Sequence, residues 1–315
     1  MPISTTELAR RLQATADWLQ AGDSGERPLR YLALPKNAGP DTLSFLNDPL
    51  LAGHLTRAGA VLVEEKYRDL VPRPLVVSRL ALAIANARHW LPVLSVNNSV
   101  ESAPSSGVHP SAVVEPGVVI ADESTIGGNS VITGEVRIGG FTTIGPNVTI
   151  TGPVSIGNRV RIEANTTIGA KPFMYVDDGC KWVEFPSFAG ITIMDGAVIG
   201  AGVTIDRGLT GNTIIGSDVK LDNQVHIAHG VRVGTDTMIA ARATIAGEAT
   251  VGERCKIGGA CSIAEGVSIA DDVVLAGMSA ITRSIAKSGK YVAAWPVQTS
   301  RDWWRQVAKL KRMAK

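Results

Sequence analysis

From Val108 onward an aliphatic residue returns every six positions: Val108, Val114, Ile120, Ile126, Ile132, Ile138, Ile144, Ile150, Ile156, Ile162 and Ile168. The phase is lost across 169–192, returns as Ile193, Ile199 and Ile205, slips by four residues, and runs again from Ile215 to Ile281. Every landmark in these runs is Ile, Val or Leu. A six-residue period matches neither the helical repeat of 3.6 nor the plain alternation of one strand. It calls for a short strand and a tight bend, repeated, each unit burying its apolar residue against the next.

Composition agrees with a chain built from bends. Glycine supplies 33 of 315 residues and aromatics only 5%, without a collagen period. Many glycines directly follow a landmark, as in Ile126-Gly127, Ile138-Gly139 and Ile257-Gly258, where a missing side chain lets the backbone turn and approach its neighbour. The pattern resembles the hexapeptide-repeat left-handed parallel β-helix, in which three hexapeptides make one triangular coil filled by aliphatics. That fold is an exception to the usual right-handed crossover. It implies a mainly β protein with the helix over 108–285. Two interruptions break it, an aromatic loop at 170–190 and a small polar one at 206–213; each is a binding loop or a tolerated insertion.

The flanks lack the period. Residues 1–100 read as a small α/β domain: Ser4-x-x-Glu7 is a capping box before Leu8 and Leu12, strands are expected at 60–63 and 74–77, and a helix near 80–90. Residues 101–107 (ESAPSSG) read as a linker. In the C-terminal extension, 286–315, Trp303, Val307, Leu310 and Ala314 fall at helical spacing, with Trp303 expected as a packing anchor. Residues 301–315 carry +5 and the remainder −3, which reads either as a face for an acidic partner or as a solvated helix face. A net charge of +2 gives no sign of nucleic-acid binding. Three cysteines, Cys180, Cys255 and Cys261, are too few and scattered for a disulfide framework or zinc motif. With no apolar signal segment at the N-terminus and no membrane-length apolar run, a cytoplasmic location is expected.

Chemistry concentrates in LDNQVHIAHG, 221–230, which holds two of the five histidines, His226 and His229, on either side of the landmark Ile227. Both are placed at corner or outward positions, with Asp222, Asn223 and Gln224 nearby. Zinc sites on this fold use three histidines; a third is missing here, so no metal is expected. One imidazole, with an unperturbed pKa of about 6.5, suffices as a general base toward an amine or hydroxyl.

TIDRG (204–208), LDNQVHIAHGVRVG (221–234), ATIAGEATVG (243–252), IGGACSI (257–263), the FMY-containing loop, and DTLSFLNDP (41–49) with AGAVLV (58–63) together resemble the UDP-3-O-(3-hydroxyacyl)glucosamine N-acyltransferase family of lipid A synthesis. The resemblance spans nearly the whole chain, and the I-A-H element alone marks only the superfamily. It implies a homotrimer, with His229 as the base that deprotonates a sugar 2-amino group and Gly247 as an oxyanion N–H donor. Asp222 and His226 would lie near the glucosamine and Phe45 under uracil, with Asp48, Phe173 and Tyr175 as further substrate contacts. Arg301, Arg305, Lys309, Lys311 and Arg312 would meet acyl carrier protein, whose phosphopantetheine brings the acyl chain, so no resident cofactor is implied.

The chain departs from the family at Gly230, where Asn is common, and at Gly266, where a second histidine is common. In the uracil pocket Asp48 and Leu51 replace Asn and Tyr; a carboxylate accepts but cannot donate, and Leu51 offers no phenol. A paralogue acting on another nucleotide-linked amino sugar, and a non-catalytic scaffold that binds a sugar nucleotide or carrier protein, remain open here. So do a coenzyme A donor and the acyl-chain length, for which small Ser279 and Ala280 leave room.

Overall fold

The computed structural model describes residues 2–20, 27–94, 107–294 and 297–313, so the linker expected at 101–107 lies outside the described residues but for Gly107. The chain divides into two compact units, Met1–Pro104 and Ser105–Lys315.

In the first unit five short strands pair in parallel in the order Pro74–Val76, Ala60–Val63, Thr42–Leu46, Tyr31–Ala33 and Val93–Leu94. Helices Thr5–Leu12 and Leu80–Ala87 add Leu8, Leu80, Ala83 and Ala87 to a core with Leu32, Leu43, Leu62 and Leu75. Ser4 caps the first helix by accepting from the Glu7 N–H at 3.2 Å. The expected reciprocal half of the capping box is absent: the Glu7 carboxylate turns to Arg10 and Arg11, whose hydrogen bonds hold its pKa down to about 2.

The second unit is a parallel β-helix with three faces, sheets of eight, nine and ten strands. Landmarks stack in register, Ile126 on Ile144, Ile162, Ile199 and then Leu221, and form the core with almost no exposure. One coil takes 18 residues, as from Ile126 to Ile144; Ile162 to Ile199 takes 37 and Ile199 to Leu221 takes 22. The interruptions therefore add nineteen and four residues and leave the stack unbroken. The first is an antiparallel hairpin, Tyr175–Asp177 with Trp182–Glu184, rather than an irregular loop. Its base and the second interruption grip each other: Phe188 N–H donates to Leu209 C=O, and Ser187 Oγ to Gly208 C=O.

The structure adds a second inward column, two residues before each landmark, filled by side chains that are small except at Ile191. Where these are Ser, Thr or Cys they span adjacent coils. Ser124, Thr142 and Thr237 donate to the carbonyls of Gly139, Gly157 and Gly252, and the Cys255 and Cys261 thiols to Ala270 and Ala276. The buried hydroxyls and thiols named here are thus paired, which avoids the cost of about 1–3 kcal/mol for leaving each unsatisfied.

Of the two roles expected of glycine at the bends, close approach is the one found directly after a landmark, and the turn falls elsewhere. Directly after a landmark it permits close approach: a Cβ on Gly139 would sit 2.6 Å from the carbonyl carbon of Gly157 in the next coil. The left-handed backbone falls two residues later and is mostly carried by other residues, including Asn129, Arg159, Gln224, Glu248 and Ala260.

The C-terminal helix is Ser300–Met313, and none of its residues is buried. Trp303 is 42% exposed, and Ala314 of the expected helical spacing lies outside the described residues. Among the described residues no helix is long and apolar enough to cross a membrane.

Gly139→Ala is expected to destabilise the β-helix by about 1–3 kcal/mol, since rigid backbone faces the added methyl. Gly117→Ala, with nothing within 4 Å, serves as its control. Denaturant unfolding checks the pair; equal midpoints contradict the close-approach reading.

Candidate active site

The corner after a landmark sets the chemistry. Two residues past the landmark, the backbone N–H faces the following coil, and at four corners a side chain of that coil covers it. Asn158 Oδ1 accepts from Gly140 N–H, Asp195 Oδ1 from Asn158 N–H, Asn223 Oδ1 from Ala201 N–H and Asp271 Oδ1 from Glu253 N–H, all at 2.8–2.9 Å. At the corner after Ile227 this position is His229, and the residue stacked on it is Gly247, two after Ile245. Glycine has no side chain to cap the His229 N–H. Among the described residues neither the His229 N–H nor the Gly247 N–H has an assigned acceptor.

The same glycine makes room for the imidazole. A Cβ on Gly247 would lie 2.5 Å from His229 Nε2, so the ring rests directly on the glycine backbone. His229 is therefore buried, at 8% exposure, and not outward as the repeat phase alone suggests. Its Nδ1 has no hydrogen-bond partner; Glu248 Oε1 stands 3.5 Å away.

His226 lies on the neighbouring strand, paired with Thr204 and Thr244. Its Nδ1 hydrogen-bonds Thr204 Oγ1 at 2.7 Å, and its Nε2 is 3.8 Å from Asp206 Oδ2. Asp206 closes the cluster. Burial pushes its carboxyl above the ordinary value, while the charges of His226 and His229 pull it back. Thr213 ties the second interruption to this corner, donating to Asp206 C=O and accepting from Gly230 N–H.

Asp206 and Glu248 are functional candidates that sequence reasoning missed. Repeat arithmetic holds a signal for Glu248, since an 18-residue coil sets 247 beside 229 and 248 beside 230. For Asp206 the signal is weaker, because the four-residue slip begins there and changes the offset.

The remaining sequence candidates occupy other places. Asp222 spends both carboxylate oxygens on the corner, accepting from Asn223 and Ala241 N–H, and borders a groove of about 430 Å³ with Lys220, Met238 and Lys256. Phe173 and Tyr175 meet edge-on at 5.2 Å and, with Met174 and Trp182, line an apolar recess of about 480 Å³ on the hairpin. Phe45 and Asp48 belong to the first unit. Phe45 packs against the core, Asp48 Oδ1 accepts from Leu50 N–H at 3.0 Å, and Leu51 packs into the smaller core cluster. Arg301, Arg305, Lys309, Lys311 and Arg312 are exposed on the C-terminal helix, where Asp302 faces Arg305 at 3.6 Å. Among the described residues no cluster of three or more His, Cys, Asp or Glu could hold a metal.

Residues 135–170 and 212–247 match the family described as bacterial transferase hexapeptide (six repeats), and 186–207 and 248–283 the hexapeptide repeat of succinyl-transferase. These stretches of the β-helix are similar to hexapeptide-repeat transferases. It is 37% identical over 199 residues to a UDP-3-O-acylglucosamine N-acyltransferase of Delftia acidovorans, covering 62% of this chain and 58% of that protein. A Coxiella burnetii protein of the same name is 35% identical over 139 residues, covering 43% of this chain and 37% of its own length. This hexapeptide-repeat protein thus spans less than two thirds of these relatives. Among solved structures, the UDP-N-acetylglucosamine O-acyltransferase of Moraxella catarrhalis aligns with a TM-score of 0.54 at 27% identity, over 63% of this chain and 77% of that one.

Gly247→Ala is expected to push the imidazole out of its pocket. Diethylpyrocarbonate modification of His229, mapped by mass spectrometry, should then be faster than in the native chain; an unchanged rate contradicts the packing described.

Asp206 supplies a pH test. Its raised folded-state pKa means that its contribution to stability is full below the unfolded value of about 3.9 and is lost as pH rises through the folded value. Asp206→Asn should therefore be more stable than the native chain at neutral pH, with the gain vanishing below about pH 4. Unfolding midpoints across that range check it, and a pH-independent difference contradicts it.

Proposed function

We propose that the chain is an acyltransferase that moves an acyl group from a carrier thioester to the 2-amino group of a UDP-3-O-acylglucosamine. The buried His229 imidazole against the uncapped Gly247 N–H carries this reading. As the amine attacks the thioester carbonyl, His229 takes its proton, and the developing oxyanion receives the Gly247 N–H. Collapse of the tetrahedral intermediate expels the thiolate, to which the imidazolium returns the proton. A positioned base contributes about 10²–10⁴-fold, and an oxyanion donor about 3 kcal/mol. The imidazole is held by stacking on glycine, and the Gly247 N–H has no assigned acceptor to compete with the oxyanion. The names of the similar Delftia and Coxiella proteins supply the substrate class.

Acyl carrier protein is the proposed donor, because the C-terminal helix holds its basic residues exposed and an acidic carrier complements them. Its phosphopantetheine would arrive and leave with the donor. A homotrimer would give the exposed faces of the β-helix their partners.

A second reading, the same transfer onto another nucleotide-linked amino sugar, is favoured by the first unit. There Asp48 is engaged with the Leu50 N–H and Leu51 is packed inward, so neither presents the donor set that the family pattern uses for uracil.

Incubation with acyl carrier thioester and a panel of amino-sugar nucleotides, read by product mass, tests both readings. The expected product is the N-acylated UDP-3-O-acylglucosamine, with His229→Ala slower by about 10²–10⁴-fold. Full activity in His229→Ala overturns the mechanism, and a different preferred acceptor establishes the second reading.

A further inference from the structure

We propose that Glu248 positions the His229 imidazole, supplying from the next coil an acceptor that the corner's own residue, Gly230, does not carry. This rests on His229 as the base.

The geometry begins with a single column. Gly230, Glu248 and Gly266 each stand three residues past a landmark, Ile227, Ile245 and Ile263, and all three have the left-handed backbone, with φ of +67°, +57° and +67°. Consecutive members lie one coil apart, so Glu248 has a glycine above and a glycine below. Toward Gly266 the space is open. Toward Gly230 the Glu248 carboxyl has moved in: a Cβ on Gly230 would meet Glu248 Cδ at 2.5 Å. The volume that a side chain at 230 would fill is thus occupied by a carboxylate from the following coil.

That carboxylate stands beside a buried side-chain nitrogen of the site that lacks a hydrogen-bond partner. His229 Nδ1 is buried and unbonded, with Glu248 Oε1 at 3.5 Å. The backbone fixes the approach, since Glu248 N–H donates to His229 C=O at 2.9 Å. A small side-chain rotation closes 3.5 Å to the hydrogen-bond range of about 2.7–3.2 Å. Nδ1 then carries the proton and donates to Oε1, leaving Nε2, which rests on Gly247, with its lone pair free for the substrate. Glu248 touches neither substrate nor reacting atoms; it acts through the tautomer and orientation of the ring. The absence of a side chain at 230, which by itself removes support from the base, is on this account the condition for support from another coil.

Glu248→Ala tests the proposal. Alanine adopts the required backbone elsewhere in this β-helix, at Ala260 with φ of +55°, and Glu248 is half exposed, so the fold is expected to survive. Three changes are expected together. The kcat falls by about 10–100-fold with the nucleotide-sugar KM unchanged, the usual scale for loss of an orienting partner. Glu248→Gln, which keeps an acceptor oxygen, retains an intermediate rate. The titratable groups around His229 are Asp206, His226 and Glu248. Losing the last of these carboxylates removes support for the imidazolium, so the rise of kcat with pH moves to lower pH. In the free protein, nitrogen NMR of labelled histidine should show neutral His229 as the Nδ1–H tautomer, and a mixture of tautomers in Glu248→Ala. The five histidines keep that spectrum assignable, with His229→Asn as the marker.

A Glu248→Ala rate within twofold of the native one overturns the proposal. A lower rate with unchanged tautomer and pH profile overturns it too, since a structural defect alone would produce that. If the native chain transfers no acyl group, or His229→Ala transfers it fully, the functional reading fails, and the tautomer in the free protein still decides whether the pair exists.

Discussion

Between coils, the N–H of residue i donates to the carbonyl of residue i + 17, as from Thr125 to Thr142, from His226 to Ala243 and from Ala228 to Ile245. This ladder stacks every residue on its equivalent one coil away. It closes only if the corners approach to backbone contact, which is why glycine so often follows a landmark, and only if inward side chains are narrow, which is why aromatics are scarce. Interruptions are tolerated because they leave at corners and return in register.

The candidate site is a local exception in this regular lattice. Where the corners at Gly140, Asn158, Ala201 and Glu253 receive a side-chain oxygen on the N–H, this one meets a glycine, and the space goes to an imidazole. Two histidines and two carboxylates then meet across three coils: Asp206 from the preceding coil, His226 and His229 from one, and Glu248 from the next. Each pair comes from different coils, so the spacing of the coils sets both distances. Rigid stacking would supply the preorganisation that the proposed chemistry needs, without reorganisation at the moment of reaction.

Much of the β-helix was legible because its interior is written in large aliphatics at a fixed period, from Val108 to Ile281. The second inward column was not, since Val, Ala, Ser, Thr and Cys share size but not polarity. Left-handed corner residues were hidden for a similar reason, as Asn, Asp, Arg, Glu and Ala all serve. In the first unit the strands at 60–63 and 74–76 were found and those at 31–33, 42–46 and 93–94 missed. At the site, His229 and Gly247 were readable from the resemblance, and Asp206 and Glu248 were not. Their relation to the histidines is set across coils, and sequence offset loses that phase where nineteen and four residues are inserted.

A structure of the protein with its N-acylated product bound tests the central claim most directly. The product amide is expected at the corner between Ile227 and Glu248, its carbonyl oxygen about 3 Å from the Gly247 nitrogen and its amide nitrogen facing His229 Nε2. An amide held at any other corner, or at this one with the imidazole turned away from it, would contradict the account.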